Sequence, residues 1–344
     1  MVFFLIPSLL IFIFGLLNLL GIGANLFMSQ LVYGVLAVLA YVVARRIGYK
    51  FFRFNITFFY WIFVVMLIVT YVIGLEIKGS KRWIDLYFFS FQGSEFLKVF
   101  FVMYLADFFS KNRRFLNHIG LFLQSCVYFI IPAFIIFKQP DLGNALVYVS
   151  IFIMMLLYSH TPKRFIFYIL AVISFFSPIL WFFLKAYQRA RIISFLNPNI
   201  DQTGQSYNMM QALITVGSGS FLGKGLSNGT QTKLFFLPEN HTDFAFSSLV
   251  EQFGFVGGAV VIVLYMCIAY MLIRWIMRYF YAKDDEGSYR FLYMVGFLTY
   301  FVTQVFVNIG MNIGIMPITG ITLPLISYGG SSLVTFMLFL AMIP

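Results

Sequence analysis

The chain has 344 residues, of which 61% are hydrophobic and only 10% charged, with 46 Phe and a formal net charge of +11. A mean hydropathy of +0.92 lies far outside the soluble range, so the composition excludes a soluble enzyme and defines an integral membrane protein. The apolar runs are continuous and do not alternate with polar residues, which argues against a β-barrel. The excess charge reads as membrane topology plus an anionic substrate or lipid, because no basic domain stands outside the apolar runs to bind nucleic acid.

A spanning helix takes about 20 apolar residues. In chain order the sequence predicts spans at Val2–Leu20, Leu31–Ile47, Ile56–Gly74, Ser94–Ser110, Ile119–Phe137, Leu142–Tyr158, Arg164–Lys185, Phe244–Met271, Phe291–Asn308 and Leu325–Ile343. The expected fold is therefore an all-α integral membrane protein of about ten transmembrane helices, with residues 1–344 forming one polytopic domain. The first run has no basic leader and is long for a signal sequence, so it reads as a span. Cys126 and Cys267 fall inside apolar runs and read as small core residues, not as a disulfide or metal site.

Basic residues fix the expected orientation. Arg45, Arg46, Lys50 and Arg53 share one short loop, and Lys111, Arg113 and Arg114 another; Lys163 and Arg164 mark a third, and Arg274, Arg278, Lys283 and Arg290 a fourth. With ten spans all four loops fall on the cytoplasmic side, and both termini with them. The remaining loops face outward. The longest, 186–240 between spans seven and eight, contains Gly217, Gly219, Gly223, Gly225 and Gly229, which imply tight turns. Within it, Asn208–Val216 has the mixed polarity of a short amphipathic or re-entrant helix.

The polar residues gather in the outward segments. Lys78-Gly-Ser-Lys-Arg82-Trp83-Ile-Asp85 is followed by Gln92-Gly-Ser-Glu95-Phe-Leu-Lys98. Glu95 and Lys98, spaced i, i+3 inside a span, can pair, and ionisable residues there point to function; Trp83 suits an interfacial anchor. Lys138-Gln-Pro-Asp141-Leu-Gly143 has turn chemistry, and a helix N-cap explains Asp141 as well as a substrate role does. Tyr187-Gln-Arg189-Ala-Arg191 suits either interfacial snorkelling or a pyrophosphate held by the guanidinium fork.

His241-Thr242-Asp243 stands directly before an apolar run, where an ionisable residue is costly. A carboxylate at a helix N-terminus is stabilised by free N–H groups, so Asp243 can stay charged and serve as a general base. Glu251 follows about two turns deeper and reads as a partner for a basic group or as part of the site. No metal-ligand spacing and no hydrolase or ATPase signature is present. The uncharged Asn308-Ile-Gly-Met-Asn312 to Ser332 segment, rich in Gly and Pro, reads as a folded rim with a scaffold role.

Taken in order, Gly79-Ser-Lys-Arg82-Trp83-Ile-Asp85, Gln92-Gly-Ser-Glu95, Gln139-Pro-Asp141-Leu-Gly143, Tyr187-Gln-Arg189, Gly217-Ser-Gly219, Leu237-Pro-Glu-Asn-His-Thr-Asp243-Phe and Leu325-Ile-Ser-Tyr-Gly-Gly330-Ser-Ser resemble the SEDS family (shape, elongation, division and sporulation), bacterial membrane proteins that polymerise peptidoglycan. Lys78-Gly79, Gly223-Lys-Gly225 and Gly229-Thr-Gln231 are more similar to the RodA elongation branch than to the FtsW division branch. The family has Pro where this chain has Gly93, and often a basic residue where it has Asn240. The basic tail usual in the family is missing after Pro344, which leaves open a truncated C-terminus.

The resemblance implies an inverting glycosyltransferase of the inner membrane. It would join lipid II units through β-1,4 linkages on the outer side, with undecaprenyl pyrophosphate as leaving group, during cell-wall elongation. Asp243 is then the catalytic base, with Arg82, Trp83, Glu95, Lys98, Asp141, Arg191, His241, Thr242 and Glu251 as substrate-binding candidates. The resemblance further implies a class B penicillin-binding protein, a transpeptidase, as partner, beside other elongation-complex membrane proteins. No cofactor is called for, and a divalent cation at the leaving group stays open. The rival reading is a lipid II flippase.

Overall fold

The computed structural model describes residues 2–77, 80–85, 90–184, 186–197, 205–282 and 284–344; Lys78, Gly79, Lys185, Pro198 and Lys283 lie outside them. Each predicted span coincides with a helix. These are α1 (Val2–Ile22), α2 (Ala24–Ile47), α4 (Ile56–Ile73), α5 (Gly93–Lys111), α6 (Ile119–Lys138), α7 (Leu142–Tyr158), α8 (Lys163–Phe183), α12 (Ala245–Tyr279), α13 (Asp285–Asn312) and α14 (Gly330–Ala341). Six of them, α1, α2, α4, α6, α12 and α13, are long and apolar enough to cross a membrane among the described residues, and α7 and α14 are shorter apolar helices. A short α3 (Tyr49–Phe54) precedes α4. The protein is a multi-pass, nearly all-helical membrane protein.

Two features depart from the expected pattern. A small antiparallel sheet, β1 (Leu75–Ile77), β2 (Ser80–Asp85) and β3 (Ser90–Phe91), takes up the first polar cluster, with Trp83 opposite Leu75 and Ile84 opposite Phe91. The 186–240 segment carries helices α9 (Ala186–Leu196), α10 (Gln205–Ser218) and α11 (Thr230–Lys233). Of these, α10 takes in the amphipathic stretch read from the sequence.

The chain forms two compact units, the first built from residues 1–31, 167–268 and 304–328, the second from 32–166, 269–303 and 329–344. In the second unit, α5 is the central helix, buried along almost its whole length. At 1.5 Å per residue its 19 residues span about 28 Å, close to the thickness of a bilayer's hydrocarbon core. At its C-terminal end the basic loops meet. Arg53 pairs with Asp107 at 2.8 Å and with Glu286, and Lys111 reaches Asp107 at 2.6 Å. Arg290 reaches Glu286 at 3.2 Å, Arg113 donates to the Ala282 carbonyl at 3.4 Å, and Arg164 donates to Asn117 at 2.8 Å. Residues from all four basic loops are thus joined to one another or to their neighbours around one end of α5.

In the first unit, α12 is broken. Gly254 adopts φ 70° and ψ −172°, outside helical geometry, which frees backbone groups on both sides of it. The glycine-rich segment before α11 takes them up. Lys224 N donates to Glu251 O at 2.9 Å and Gly225 N to Gln252 O at 3.0 Å, while Phe255 N donates to Ser220 O at 2.9 Å and Val256 N to Phe221 O at 3.2 Å. An interrupted membrane helix is tolerated only where its freed groups find such partners. The approach is too close for side chains: a Cβ on Gly223 would stand 2.2 Å from Gln252 O, and one on Gly254 2.2 Å from Gly223 N. Beside the break Phe221 stacks on Phe255, and with Val256, Val260 and Val263 they line an apolar groove of about 310 Å³.

Candidate active site

Asp243 lies two residues before α12, in the turn 240–244. The turn is held by its backbone. Thr242 N and Phe244 N both donate to Glu239 O, at 3.2 and 3.1 Å, and Thr242 Oγ1 donates to Glu239 Oε2 at 3.0 Å. From the 313–329 segment, Tyr328 N donates to His241 O at 2.8 Å and Ser327 Oγ to Thr242 O at 2.6 Å. From α13, Asn308 Nδ2 and Asn312 Nδ2 each donate to Asp243 O at 3.1 Å. Three consecutive carbonyls, of His241, Thr242 and Asp243, are therefore fixed by groups far away in sequence.

Asn312 also accepts from Ser247 N at 2.9 Å and from Ser247 Oγ at 2.6 Å, so an amide of the first turn of α12 is capped by α13. The sequence reading expected the free N–H groups of this helix end to stabilise the Asp243 carboxylate; the Ser247 amide goes to Asn312. Asn312 thus meets the Ser247 amide, and two asparagines meet the Asp243 carbonyl. A Cβ built on Gly320, which has φ 75°, would lie 3.6 Å from Asp243 Oδ2 and 4.0 Å from Arg191 Nη1. A carboxylate and a guanidinium thus flank one side-chain-free position. Under the turn, Met209, Ala212, Leu237, Phe244, Met311 and Ile318 form a buried apolar cluster that joins α10, α13 and the 313–329 segment. The His241 ring meets Tyr328 edge-on, and its Nδ1 lies 3.3 Å from Asn240 Oδ1.

Glu251 is completely buried. Its Oε1 accepts from Gln231 N at 2.9 Å, Ser218 Oγ at 3.3 Å and Lys224 Nζ at 3.4 Å, and its Oε2 from Thr232 N at 3.0 Å and from Thr232 Oγ1. The basic partner expected for it exists and is Lys224.

The remaining sequence-predicted residues belong to the second unit. Asp141 caps α7: its Oδ1 accepts from Asn144 N at 3.1 Å and its Oδ2 from Asn144 Nδ2 at 2.9 Å. Arg82, on β2, stands 3.6 Å from Asp141 Oδ1 and donates to the carbonyls of Gln139, at 3.4 Å, and Pro140. The Arg82 guanidinium lies 6.0 Å from the Trp83 ring. Gln92 Nε2 bridges Asp141, at 3.4 Å, and Ser94 Oγ, at 3.2 Å, which ties the start of α5 to the same turn. One turn further, Lys98 Nζ meets Glu95 Oε1 at 2.5 Å and lies 5.4 Å from the centre of the Tyr300 ring. Lys98 is fully buried, and Glu95 Oε2 has no hydrogen-bond partner among the described residues. A Cβ on Gly93, at the start of α5, would make ordinary contact with Thr70 Oγ1 of α4 at 3.4 Å.

Sequence reasoning underused Asn308, Asn312, Ser327 and Gly320. The signal was present in Asn308-Ile-Gly-Met-Asn312, since an i, i+4 pair puts both amides on one helix face. Among the described residues no group of three or more His, Cys, Asp or Glu side chains converges as a metal site would require.

Residues 2–344 match the FtsW/RodA/SpoVE family of cell cycle proteins. The peptidoglycan glycosyltransferase MrdB of Escherichia coli K12 is 36% identical over 283 residues, covering 81% of this chain and 74% of the relative. RodA of Treponema pallidum, also named a peptidoglycan glycosyltransferase, is 31% identical over 91% of this chain and 87% of its own length; a probable FtsW of Geobacter metallireducens is 35% identical over 89% and 80%. Among solved structures, a chain from a peptidoglycan synthase complex that coordinates polymerisation and crosslinking superposes with a TM-score of 0.83, at 25% identity, over 99% of this chain and 95% of that one. RodA of Thermus thermophilus shares the fold, with a TM-score of 0.71 at 23% identity over 99% and 94%. The chain belongs to the FtsW/RodA/SpoVE family, the SEDS proteins that its motifs resemble.

Proposed function

We propose that this chain is a peptidoglycan glycosyltransferase that polymerises lipid II in the bacterial inner membrane, with Asp243 as its general base. It is a glycosyltransferase of cell-wall synthesis, as its relatives on both the RodA and the FtsW side are named. The observation that carries the site assignment is the Asp243 turn. Its backbone is pinned by Asn308, Asn312, Ser327 and Tyr328, while its carboxylate and the Arg191 guanidinium flank the side-chain-free Gly320.

In the proposed reaction Asp243 takes the proton from the 4-hydroxyl of the acceptor sugar. That oxygen forms a bond to the anomeric carbon of the donor with inversion, and the electron pair of the breaking C–O bond leaves with undecaprenyl pyrophosphate. Arg191, in the same unit as Asp243, supplies positive charge for the pyrophosphate, and Arg82, in the other unit, is assigned to binding the substrate. Glu95 and Lys98, paired beside the Tyr300 ring, are assigned to binding the substrate as well. Trp83, His241 and Thr242 are assigned to binding the substrate, and Asp141 and Glu251 to holding Arg82 and the 218–232 segment in place.

Ten spans, outward-facing polar segments and cytoplasmic termini complete the reading. The joined basic loops at one end of α5 support it, because short loops rich in Lys and Arg stay cytoplasmic. Gly223-Lys-Gly225 and Gly229-Thr-Gln231 favour the elongation branch. A class B transpeptidase is the proposed partner, in keeping with the synthase complex in which the structural relative occurs.

The test is glycan-ladder formation from labelled lipid II by the detergent-purified protein with its cognate transpeptidase. Ladders establish the polymerase. Absence of ladders from an intact complex, together with lipid II crossing the bilayer of liposomes that hold the protein, would establish the transporter instead.

A further inference from the structure

Glu251 makes five polar contacts with the 218–232 segment, and each of its carboxylate oxygens is met at least twice. The fit is tight enough to exclude any side chain at Gly229, where a Cβ would stand 2.6 Å from Glu251 Oε2 and 2.9 Å from its Cδ. The residue that Glu251 grips hardest is Thr232, through both amide and hydroxyl. The carbonyl of Thr232 in turn accepts from Asn240 Nδ2 at 3.0 Å, and the carbonyl of Asn240 accepts from Ser248 Oγ at 2.9 Å. Asn240 is buried and opens the turn that carries Asp243.

We infer that Glu251 is a positioning residue for the reaction, acting on Asp243 through Thr232 and Asn240; the inference rests on the assignment of Asp243 as the base. The geometry makes a short chain of fixed groups. The Glu251 carboxylate sets the Thr232 peptide, Thr232 O sets the Asn240 side chain, and Asn240 sets the backbone from which His241, Thr242 and Asp243 follow. Asn308 and Asn312 hold this turn from its C-terminal side, and Glu251 holds it from its N-terminal side. Without the carboxylate, the amides of Gln231 and Thr232 lose their acceptor, and the turn loses its anchor on the N-terminal side. Misplacement of a reacting group by about 1 Å costs about 10²-fold in rate, so the effect falls on turnover and not on substrate affinity.

The test compares wild type, Glu251→Gln, Asn240→Ala and the double variant, in complex with the transpeptidase, by lipid II polymerisation kinetics and by hydrogen exchange of the 230–244 amides. The expected result is a kcat lower by roughly 10–100-fold in each single variant, with KM within about threefold of wild type. Exchange at Thr242 and Asp243 is faster in both, and the double variant is no worse than the poorer single one, because both changes break the same chain of contacts. A KM increase with unchanged exchange in Glu251→Gln would overturn the inference and make Glu251 a substrate ligand. Fully additive losses, or no loss at all, would overturn it as well. Should Glu251→Gln not fold, Asn240→Ala carries the same readouts. The exchange measurement needs no turnover, so it reports the anchor even if an active Asp243→Asn were to remove the base assignment.

Discussion

The Cα of Gly320, held at φ 75°, stands against the carboxylate of Asp243: a side chain there would begin 3.6 Å from Oδ2. The two residues are 77 positions apart in the sequence, and what joins them is the 313–329 segment folding back over the turn before α12.

Gly320 is therefore predicted to tolerate substitution poorly for two separable reasons. Ala at a left-handed position costs about 1–2 kcal/mol. Its Cβ makes only ordinary contact with Asp243, so Gly320→Ala keeps measurable polymerase activity with a lowered melting temperature in detergent. Gly320→Val carries the same backbone cost and adds bulk beside the carboxylate, and is expected to lose polymerisation almost completely. Melting curves and glycan ladders on the two variants separate strain from obstruction; equal activity in both would show that this position does not border the reacting groups.

Asn312 serves two elements at once, accepting from Ser247 and donating to Asp243 O. Asn312→Leu leaves the buried Ser247 amide without its acceptor, at a cost of about 1–3 kcal/mol. The expected outcome is a lower melting temperature and at least a tenfold loss of turnover. Asn308→Leu, which removes a second donor from the same carbonyl and the 2.6 Å bond to Ile321 O, should behave alike. Wild-type turnover in a folded Asn312→Leu protein would count against the pinned turn as the basis of the site.

Lys98 and Glu95 form an enclosed ion pair, and removing one partner of such a pair costs about 3–5 kcal/mol. Lys98→Met alone is expected to destabilise the protein strongly. The double variant Glu95→Gln/Lys98→Met, with no charge left to bury, should recover most of the melting temperature. Polymerisation by this double variant then decides the role of the pair: near-complete inactivity is expected if the Lys98 charge supports the leaving pyrophosphate, and recovered activity would reduce the pair to a structural one.

Asp141 is both the N-cap of α7 and the partner of Arg82. Asp141→Asn keeps an oxygen for the Asn144 amide but leaves the largely buried Arg82 guanidinium without its carboxylate, so its stability cost should be about 1–3 kcal/mol. Asp141→Ala loses the cap as well, about 0.5–2 kcal/mol. Thermal unfolding of the two variants beside Arg82→Gln and the double Arg82→Gln/Asp141→Asn measures the coupling. Additive effects would show that the pair contributes no interaction energy.

The ten span helices were legible because each contains a long, mainly apolar run, and a membrane offers such runs few alternatives to helix. The 75–91 sheet was not, because strands of three, six and two residues leave too little alternation to read, and the polar residues in them resembled a loop. The break at Gly254 was hidden for the opposite reason: Phe253 and Phe255 continue the apolar run through it, and only the Gly219–Gly225 segment, distant in sequence, supplies the partners that make it tolerable. Among the candidate residues, the Glu95–Lys98 pair and the Asp141 cap follow from local spacing and were foreseen. The asparagine clamp of α13 was read as mere scaffold, because nothing local to residues 308–312 shows that their amides end on Asp243.

The measurement that tests the account most directly is the rate of lipid II polymerisation by Asp243→Asn beside wild type, each in complex with the transpeptidase and each shown to be folded by its melting curve. The amide keeps the shape of the side chain and removes the base, which typically contributes about 10²–10⁴-fold. The account predicts a folded protein whose rate falls by at least about 10²-fold, with lipid II still bound. A folded Asp243→Asn protein that builds glycan at the wild-type rate would contradict it.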